Sequence, residues 1–382
     1  MKTENVKGFR DLTGKDAEKR AFVQEVIRQT FERYNYEYVE TPVVEYGEFV
    51  QGENSGDEAI SDIFKLKDKG KRKLALRYEF TFQLKRIANN KKLPYKRFQI
   101  GPVFRDEPTQ RNRLRQFTQC DVDVVGSTIK DEAEVLVIAK EILNALKIKS
   151  VIYVNNRRLL NEILEVFGVK KKVEVIREID KLDKLPEKVV RENLKKYGAE
   201  KVLGVMKKKE DFFKKYESYN EIAELKKYCR MYRVNVVFLP TLARGLSYYN
   251  GSVFEIKSNI KETICAGGAY EVNGVQSVGI SFGLDRLELV TNVLLNIEKI
   301  LIVSLEQDAR AIKLAQQLRK QGKNVSMFYG KPSKALEYAN SYGMKKVIFV
   351  GAREIKTKQV KIKDMKTGRE VSVLISKVGG VK

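Results

Sequence analysis

The chain has 382 residues, 43% apolar and 32% charged, with 74 Lys and Arg against 50 Asp and Glu for a net charge of +24. Such a mixture suits two or three folded domains and excludes a disordered chain, while the lack of any apolar run of about 18 residues excludes a membrane-spanning helix. The one-signed charge excess points to a polyanionic partner, nucleic acid first, although lysine enrichment of genomic or thermal origin accounts for such an excess too. The first residues, MKTENVKGFRDL, carry no apolar segment of the secretory kind, so a cytoplasmic location is expected. Cys120, Cys229 and Cys265 form no CxxC pair, which gives no support to a zinc ribbon or a disulfide framework. Histidine is absent, which removes imidazole as general base, metal ligand or triad member. The remaining repertoire of carboxylates, Arg, Lys, Tyr, backbone groups and metal ions favours phosphoryl or nucleotidyl transfer, which depends on positioning and charge neutralisation.

Along the chain, residues 15–34 place Phe22, Val26, Ile27 and Phe31 at helical spacing and predict an amphipathic helix. YEYVETPVVEY follows as a strand whose Pro42 suits an edge or an interface. FQIGPVFRDE and FTQCDVDVVG flank a charged turn, the pattern of an antiparallel hairpin with a long tip. Lys- and Glu-rich helical periodicity from about Val169 to Tyr228 reads as an inserted helical domain, and strands resume at Val234. After Glu298 strands alternate with helices, which predicts a small, mainly parallel α/β domain. The expected boundaries are therefore 1–168 and 231–297 for a split catalytic domain, 169–230 for the insertion and 298–382 for the last domain.

The segment FRDEPTQRNRLRQF concentrates Arg105, Arg111, Arg113 and Arg115 on one hairpin with Glu107, Gln116 and Phe117. So many guanidiniums are costly side by side unless phosphates meet them. Alternation along the returning strand puts Arg113, Arg115 and Phe117 on one face, where a planar base could stack beside a phosphate-binding fork. A basic surface turn accounts for the spacing equally well.

This segment resembles motif 2 of the class II aminoacyl-tRNA synthetases, and specifically the FRxERPQxGRYRQF pattern of the histidyl family. ETPVVEY with Pro42 resembles motif 1, and GISFGLDRL resembles motif 3. KGFRDL and LRYEFT are similar to further histidyl-type elements, the latter to LRPEGT. ARGLSYYNGSVFE resembles the signature RGLDYYTGTVFE, and CAGGAYE resembles the GGRYD element, with Ser247, Ala269 and Glu271 as departures. The resemblance covers nearly the whole chain.

It implies an α+β fold: an antiparallel-sheet catalytic domain of class II type, a helical insertion and a C-terminal α/β anticodon-binding domain. The implied activity is charging of tRNA(His): L-histidine is activated with ATP and Mg²⁺ to histidyl-adenylate, then transferred to the tRNA 3' end, by a homodimer. Carried over residue by residue, Arg105, Arg244 and Arg286 neutralise developing charge. Arg105, Glu107, Arg113, Phe117 and Arg286 bind ATP. Glu79, Thr81 and Gln119 hold the α-amino group, Asp123 takes the ring, and Arg244, Tyr248, Tyr249 and Tyr270 complete the histidine site. Gln110 and Arg111 face the tRNA acceptor end, and no protein metal site is implied. The alternative is a non-catalytic, synthetase-like regulatory subunit of histidine biosynthesis, whose characteristic lack of an intact catalytic Arg element and anticodon domain this chain does not share.

Overall fold

The computed structural model describes residues 2–52, 58–109, 112–244 and 248–380. The chain divides into two compact units, Met1–Val293 and Leu294–Lys382.

The first unit opens with the amphipathic helix Gly14–Arg33, which buries Val23, Ile27 and Phe31. Its Phe31 ring packs against Phe98 at 5.2 Å and Phe282 at 6.2 Å, on two different strands. The strand expected over YEYVETPVVEY is two short ones, β1 (Glu37–Tyr38) and β2 (Val44–Tyr46). Pro42 lies between them, and without an N–H it cannot continue a ladder. In a small three-stranded sheet, β2 and β3 (Lys65–Lys67) pair with opposite edges of β4 (Lys73–Leu76).

The large sheet is built from β1, β5 (Tyr95–Phe104), β6 (Gln116–Val125), β7 (Val151–Asn156), β8 (Val237–Phe238), β9 (Tyr249–Lys257), β10 (Cys265–Val272) and β11 (Val275–Gly283). Its eight strands lie in the order β1-β5-β6-β11-β10-β9-β7-β8. The edge pairs β1·β5 and β7·β8 are parallel, and the other pairs are antiparallel. Strand β6 shows why the sheet has one apolar and one polar face. Its Cys120, Val122 and Val124 join the apolar cluster with Leu136 and Ile138 of the helix Ile129–Ala145. Alternation therefore turns Phe117, Gln119, Asp121 and Asp123 to the opposite face. The Ile129–Ala145 helix is started by a capping box between Thr128 and Asp131.

Between β7 and β8 the chain is helical, with helices Lys172–Asp180, Glu187–Lys195, Val202–Met206 and Tyr219–Met231. Their Ile176, Leu194, Leu203 and Leu225 belong to the same buried cluster as the sheet.

In the second unit β12 (Lys299–Ser304), β13 (Asn324–Tyr329) and β14 (Lys346–Val350) pair in parallel. β15 (Gln359–Asp364) and β16 (Glu370–Leu374) extend the sheet antiparallel, in the order β13-β12-β14-β15-β16. The helix Asp308–Lys320 buries Leu314 and Leu318 and the helix Pro332–Ser341 buries Ala335 and Ala339, in separate apolar clusters.

Candidate active site

Beyond the paired part of the β5–β6 hairpin, the Arg105 amide donates to the Arg115 carbonyl at 2.8 Å. The Arg105 side chain donates to the Tyr78 carbonyl at 3.2 Å, and its guanidinium lies 5.1 Å over the Phe117 ring. Glu107 is buried and ion-paired with Arg113. Arg115 does not join Phe117 as expected: it donates to the Glu107 carbonyl at 3.2 Å and pairs with Asp106 at 3.2 Å, bracing the loop. Gln110 and Arg111 lie outside the described residues.

Arg286, in the first turn of the helix Leu284–Val290, donates to the Thr263 carbonyl at 2.7 Å. Burial lowers its pKa; Glu262 opposes this and the nearby Arg105 and Arg113 add to it, so three guanidiniums converge at this end of the site. The neighbouring Asp285 fixes the helix by accepting from the Thr118 amide at 2.9 Å, Arg10 at 2.9 Å and Arg20 at 3.1 Å. That gives KGFRDL a physical role, since its Arg10 ties the N-terminal segment to the GLDR turn.

Arg244 sits at a φ of +50°, a conformation that a residue with a Cβ holds only under constraint. The constraint comes from β7 and from the helix Arg157–Val166 that follows it. Asn155, fully buried, donates to the carbonyls of Pro240 at 3.0 Å and Leu242 at 2.8 Å, and Arg157 reaches the Ala243 carbonyl at 3.4 Å. The guanidinium lies 4.0 Å from Glu255, and its buried Nε has no hydrogen-bond partner among the described residues. Burial alone would lower the Arg244 pKa, but Tyr249, Glu255 and Asp180 together hold it above its ordinary value. Glu255 is itself 3.7 Å from Lys257, which pairs at 2.7 Å with Asp183, between the helices Lys172–Asp180 and Glu187–Lys195.

The tyrosines form one wall. Strand alternation predicts opposite faces for Tyr248 and Tyr249, yet their rings are 4.7 Å apart and Tyr248 is 5.7 Å from Tyr270. Tyr248 precedes the strand, which begins at Tyr249, so the alternation rule does not reach it. The glycines of CAGGAYE make room: a Cβ on Gly268 would stand 2.8 Å from the Tyr249 ring. The hydroxyl of Tyr270 donates to Asp123, and a Cβ on Gly279 would overlap the Asp123 carboxylate. Ala269 is buried, whereas Glu271 is exposed and accepts from Asn250 at 3.0 Å. Ser247 lies outside the described residues.

Carboxyls and amides form the floor. Glu79 is buried, and burial, reinforced by Asp121 and opposed by Arg105, pushes its carboxyl up to about 7. Thr81 begins the short helix Thr81–Ile87 beside it. Gln119 leaves its buried Oε1 without a hydrogen-bond partner among the described residues. Two members of this floor are absent from the sequence expectations. Arg97 is fully buried with Nη2 2.8 Å from Asp123 Oδ2, an ion pair without hydrogen-bond alignment, since Oδ2 is otherwise unpartnered among the described residues. Asp121 is buried and accepts from Ser281. Burial first, and then Asp123, raise its carboxyl against the pull of Arg97. Alternation from Gln119 to Asp123 places Asp121 on the site face, a signal that the sequence itself carries.

Three arginines around one end of an antiparallel sheet, with an acidic, tyrosine-walled pocket beside them, define the catalytic core of a class II aminoacyl-tRNA synthetase. A family model described as histidyl-tRNA synthetase matches residues 8–287, and one described as an anticodon binding domain matches residues 299–381. The chain is 33% identical to histidine--tRNA ligase 1 of a Bacillus cereus strain, over 98% of this chain and 99% of that one. It is 34% identical to the histidine--tRNA ligase of Wolinella succinogenes, covering 94% and 93% of the two chains. The crystal structure of histidyl-tRNA synthetase from Nostoc sp. PCC 7120 superposes with a TM-score of 0.86 at 26% identity, over 100% of this chain and 98% of that one. The chain belongs to the histidyl-tRNA synthetase family.

Proposed function

We propose that the chain activates L-histidine with ATP to histidyl-adenylate and pyrophosphate and transfers histidine to the 3' end of tRNA(His). The observation that carries this reading is the convergence of Arg105 and Arg286 at one end of a pocket whose other end offers Asp123 and Tyr270 to a ring with hydrogen-bonding edges. ATP lies against Arg105, Glu107, Arg113, Phe117 and Arg286, and it enters with Mg²⁺ as part of the substrate. No group of three or more acidic or Cys side chains suited to a metal occurs among the described residues, and Mg²⁺ on a nucleotide is held mainly by phosphates with one or two carboxylates. The histidine carboxylate attacks the α-phosphorus in line as pyrophosphate leaves, with Arg105, Arg244 and Arg286 neutralising the charge that builds on the phosphate oxygens. Glu79, Thr81 and Gln119 hold the α-amino group, and Tyr248, Tyr249 and Tyr270 wall the ring. A ribose hydroxyl of the tRNA then takes the acyl group.

The same proposal extends to the assembly. Residues 169–230 act as an insertion domain and 298–382 as the anticodon-binding domain, in a cytoplasmic homodimer. Tyr38, Val44 and Tyr46, on either side of Pro42, are exposed apolar residues that support pairing through this segment. No described helix is long and apolar enough to cross a membrane.

ATP–pyrophosphate exchange driven separately by each of the twenty amino acids tests the reading. Histidine alone is expected to drive it. Exchange with none overturns the enzyme reading, and exchange with a different amino acid alone overturns the specificity. A regulatory-subunit reading is supported less well. The Bacillus halodurans C structure titled as an ATP phosphoribosyltransferase regulatory subunit/histidyl-tRNA synthetase matches with a TM-score of 0.76 but 21% identity, a likeness of fold.

A further inference from the structure

Strand β6 runs across the pocket floor between two partners whose register is continuous. Gln119 lies between Gly101 and Gly283, Asp121 between Gln99 and Ser281, and Asp123 between Arg97 and Gly279. Paired residues in a sheet share a face, so these nine positions form one grid, three rows deep. The outer rows carry roles already proposed, for the α-amino group at Gln119 and the ring at Asp123. The middle row has none.

The grid is rich in acceptors that lack donors. Gln99 gives its amide nitrogen to Thr41 at 2.8 Å and leaves Oε1 buried without a partner among the described residues. Gln119 Oε1 above it and Asp123 Oδ2 below it are in the same condition. Buried acceptors left unpaired are costly and rare in native proteins. Here they flank a second carboxyl, Asp121, which accepts from the hydroxyl of Ser281. Glu79 is close enough to Asp121 that the charge of Asp121 raises its proton affinity. One buried guanidinium, Arg97, faces this acidity from within the grid: its Nη2 pairs with Asp123, while its Nε and Nη1 have no hydrogen-bond partner among the described residues. Among the described residues no cation donates to the acceptors of the other two rows: Gln99 Oε1 and Gln119 Oε1 are unpaired, and Asp121 accepts from the neutral hydroxyl of Ser281. An ammonium group supplies one positive charge and three donors.

We propose that Asp121 is a specificity-determining residue for the amino-acid substrate, its carboxylate acting with Glu79 as the counter-charge to the substrate's α-ammonium group. This rests on the histidine reading of the pocket. It assigns the recognition of the ammonium to two carboxylates on different elements, β6 and the segment before the Thr81–Ile87 helix. An amino acid is then told from its deaminated analogue by whether it satisfies the middle row.

The test uses the full chain and its Asp121→Asn variant in histidine-driven pyrophosphate exchange, with two competitors. Histidinol keeps the ammonium and the imidazole but lacks the carboxylate, whereas imidazolepropionate keeps the carboxylate and the imidazole but lacks the ammonium. The expected result is that the variant raises the histidine KM and the histidinol Ki by about tenfold or more, as loss of a buried charged partner should. The ATP KM and the imidazolepropionate Ki stay as in the parent chain. An unchanged histidine KM overturns the inference, and so does an equal loss of imidazolepropionate, which would make Asp121 a ring or packing residue. If thermal melting shows that Asp121→Asn does not fold, Asp121→Ser, which keeps a small polar group opposite Ser281, is read by the same criteria. A parent chain whose exchange is not driven by histidine overturns the site reading first and this inference with it, so the two failures are told apart.

Discussion

Replacing Glu79 by Gln should stabilise the chain while weakening its substrate binding, and the stabilisation should depend on pH. Burial raises the Glu79 carboxyl from 4.5 to about 7, so the folded chain binds this proton more tightly than the unfolded chain. The ionised group then opposes folding: its penalty is absent below pH 4.5, grows as pH rises toward 7 and is complete above it. The full penalty is on the order of 3 kcal/mol, since each tenfold change in proton affinity is worth about 1.4 kcal/mol. At about pH 5 only a minor part of it is present, so the advantage of Glu79→Gln over the parent should grow by about 2 kcal/mol between about pH 5 and about pH 8. Urea unfolding of both proteins at the two pH values measures this difference, and carboxyls common to both largely cancel. In the same preparations the histidine KM should rise about tenfold or more, because an amide cannot supply the counter-charge to an ammonium. A stability difference that is the same at both pH values would refute the burial argument. An unchanged KM would remove Glu79 from the substrate site.

Two further substitutions probe the support of the site. Gly279→Ala places a methyl on the Asp123 carboxylate, which must then leave Tyr270, so the histidine KM should rise about tenfold while the ATP KM holds; equal changes in both would deny Asp123 its place beside the ring. Asn155→Ala frees the carbonyls that hold the Arg244 segment. It should cost about 2 kcal/mol in urea unfolding and lower exchange at least about tenfold at temperatures where the variant is fully folded; full activity in the folded variant would show that Arg244 keeps its place without the clamp.

Much of this arrangement can be read from the sequence because it follows from local rules. The helix Gly14–Arg33 is announced by its apolar spacing, and the β5–β6 hairpin by two apolar runs around a charged turn. The proposed roles of Arg244 and Arg286 are legible only by resemblance, since both stand in strings too short to carry meaning alone. What escapes depends on pairs far apart in the chain. Arg97 reads as one more basic residue until the register sets it opposite Asp123. Asn155 reads as a strand-end amide until its donors are seen on Pro240 and Leu242. The alternation rule fails at Tyr248 because the sequence does not mark where the turn ends and β9 begins.

Two buried polar networks lie side by side on this unit, and their difference separates scaffold from recognition surface. In the first, Arg77 donates to the carbonyls of Thr41 at 2.7 Å and Pro102 at 2.8 Å. Thr41 donates to Gln83 at 2.5 Å, Gln83 to Glu45 at 2.6 Å, and Arg86 grips both oxygens of Glu45 at 2.7 and 2.8 Å. That network closes on itself and joins the segment around Pro42 to the hairpin that bears Arg105. The second begins where the first ends, at Gln99, whose nitrogen serves Thr41 while its oxygen faces the grid unpaired. From there to Asp123 it holds acceptors that no donor reaches and, on Arg97, donors that no acceptor reaches, among the described residues. A polar network satisfied throughout rigidifies a fold, whereas one left short of donors stays unfavourable until something supplies them. The closed network holds the open one in shape, so that a rigid floor bears the cost of the unpaired acceptors at Gln99 and Gln119 and of the unpaired Nε and Nη1 of Arg97, and the proposed α-ammonium group would relieve the acceptors.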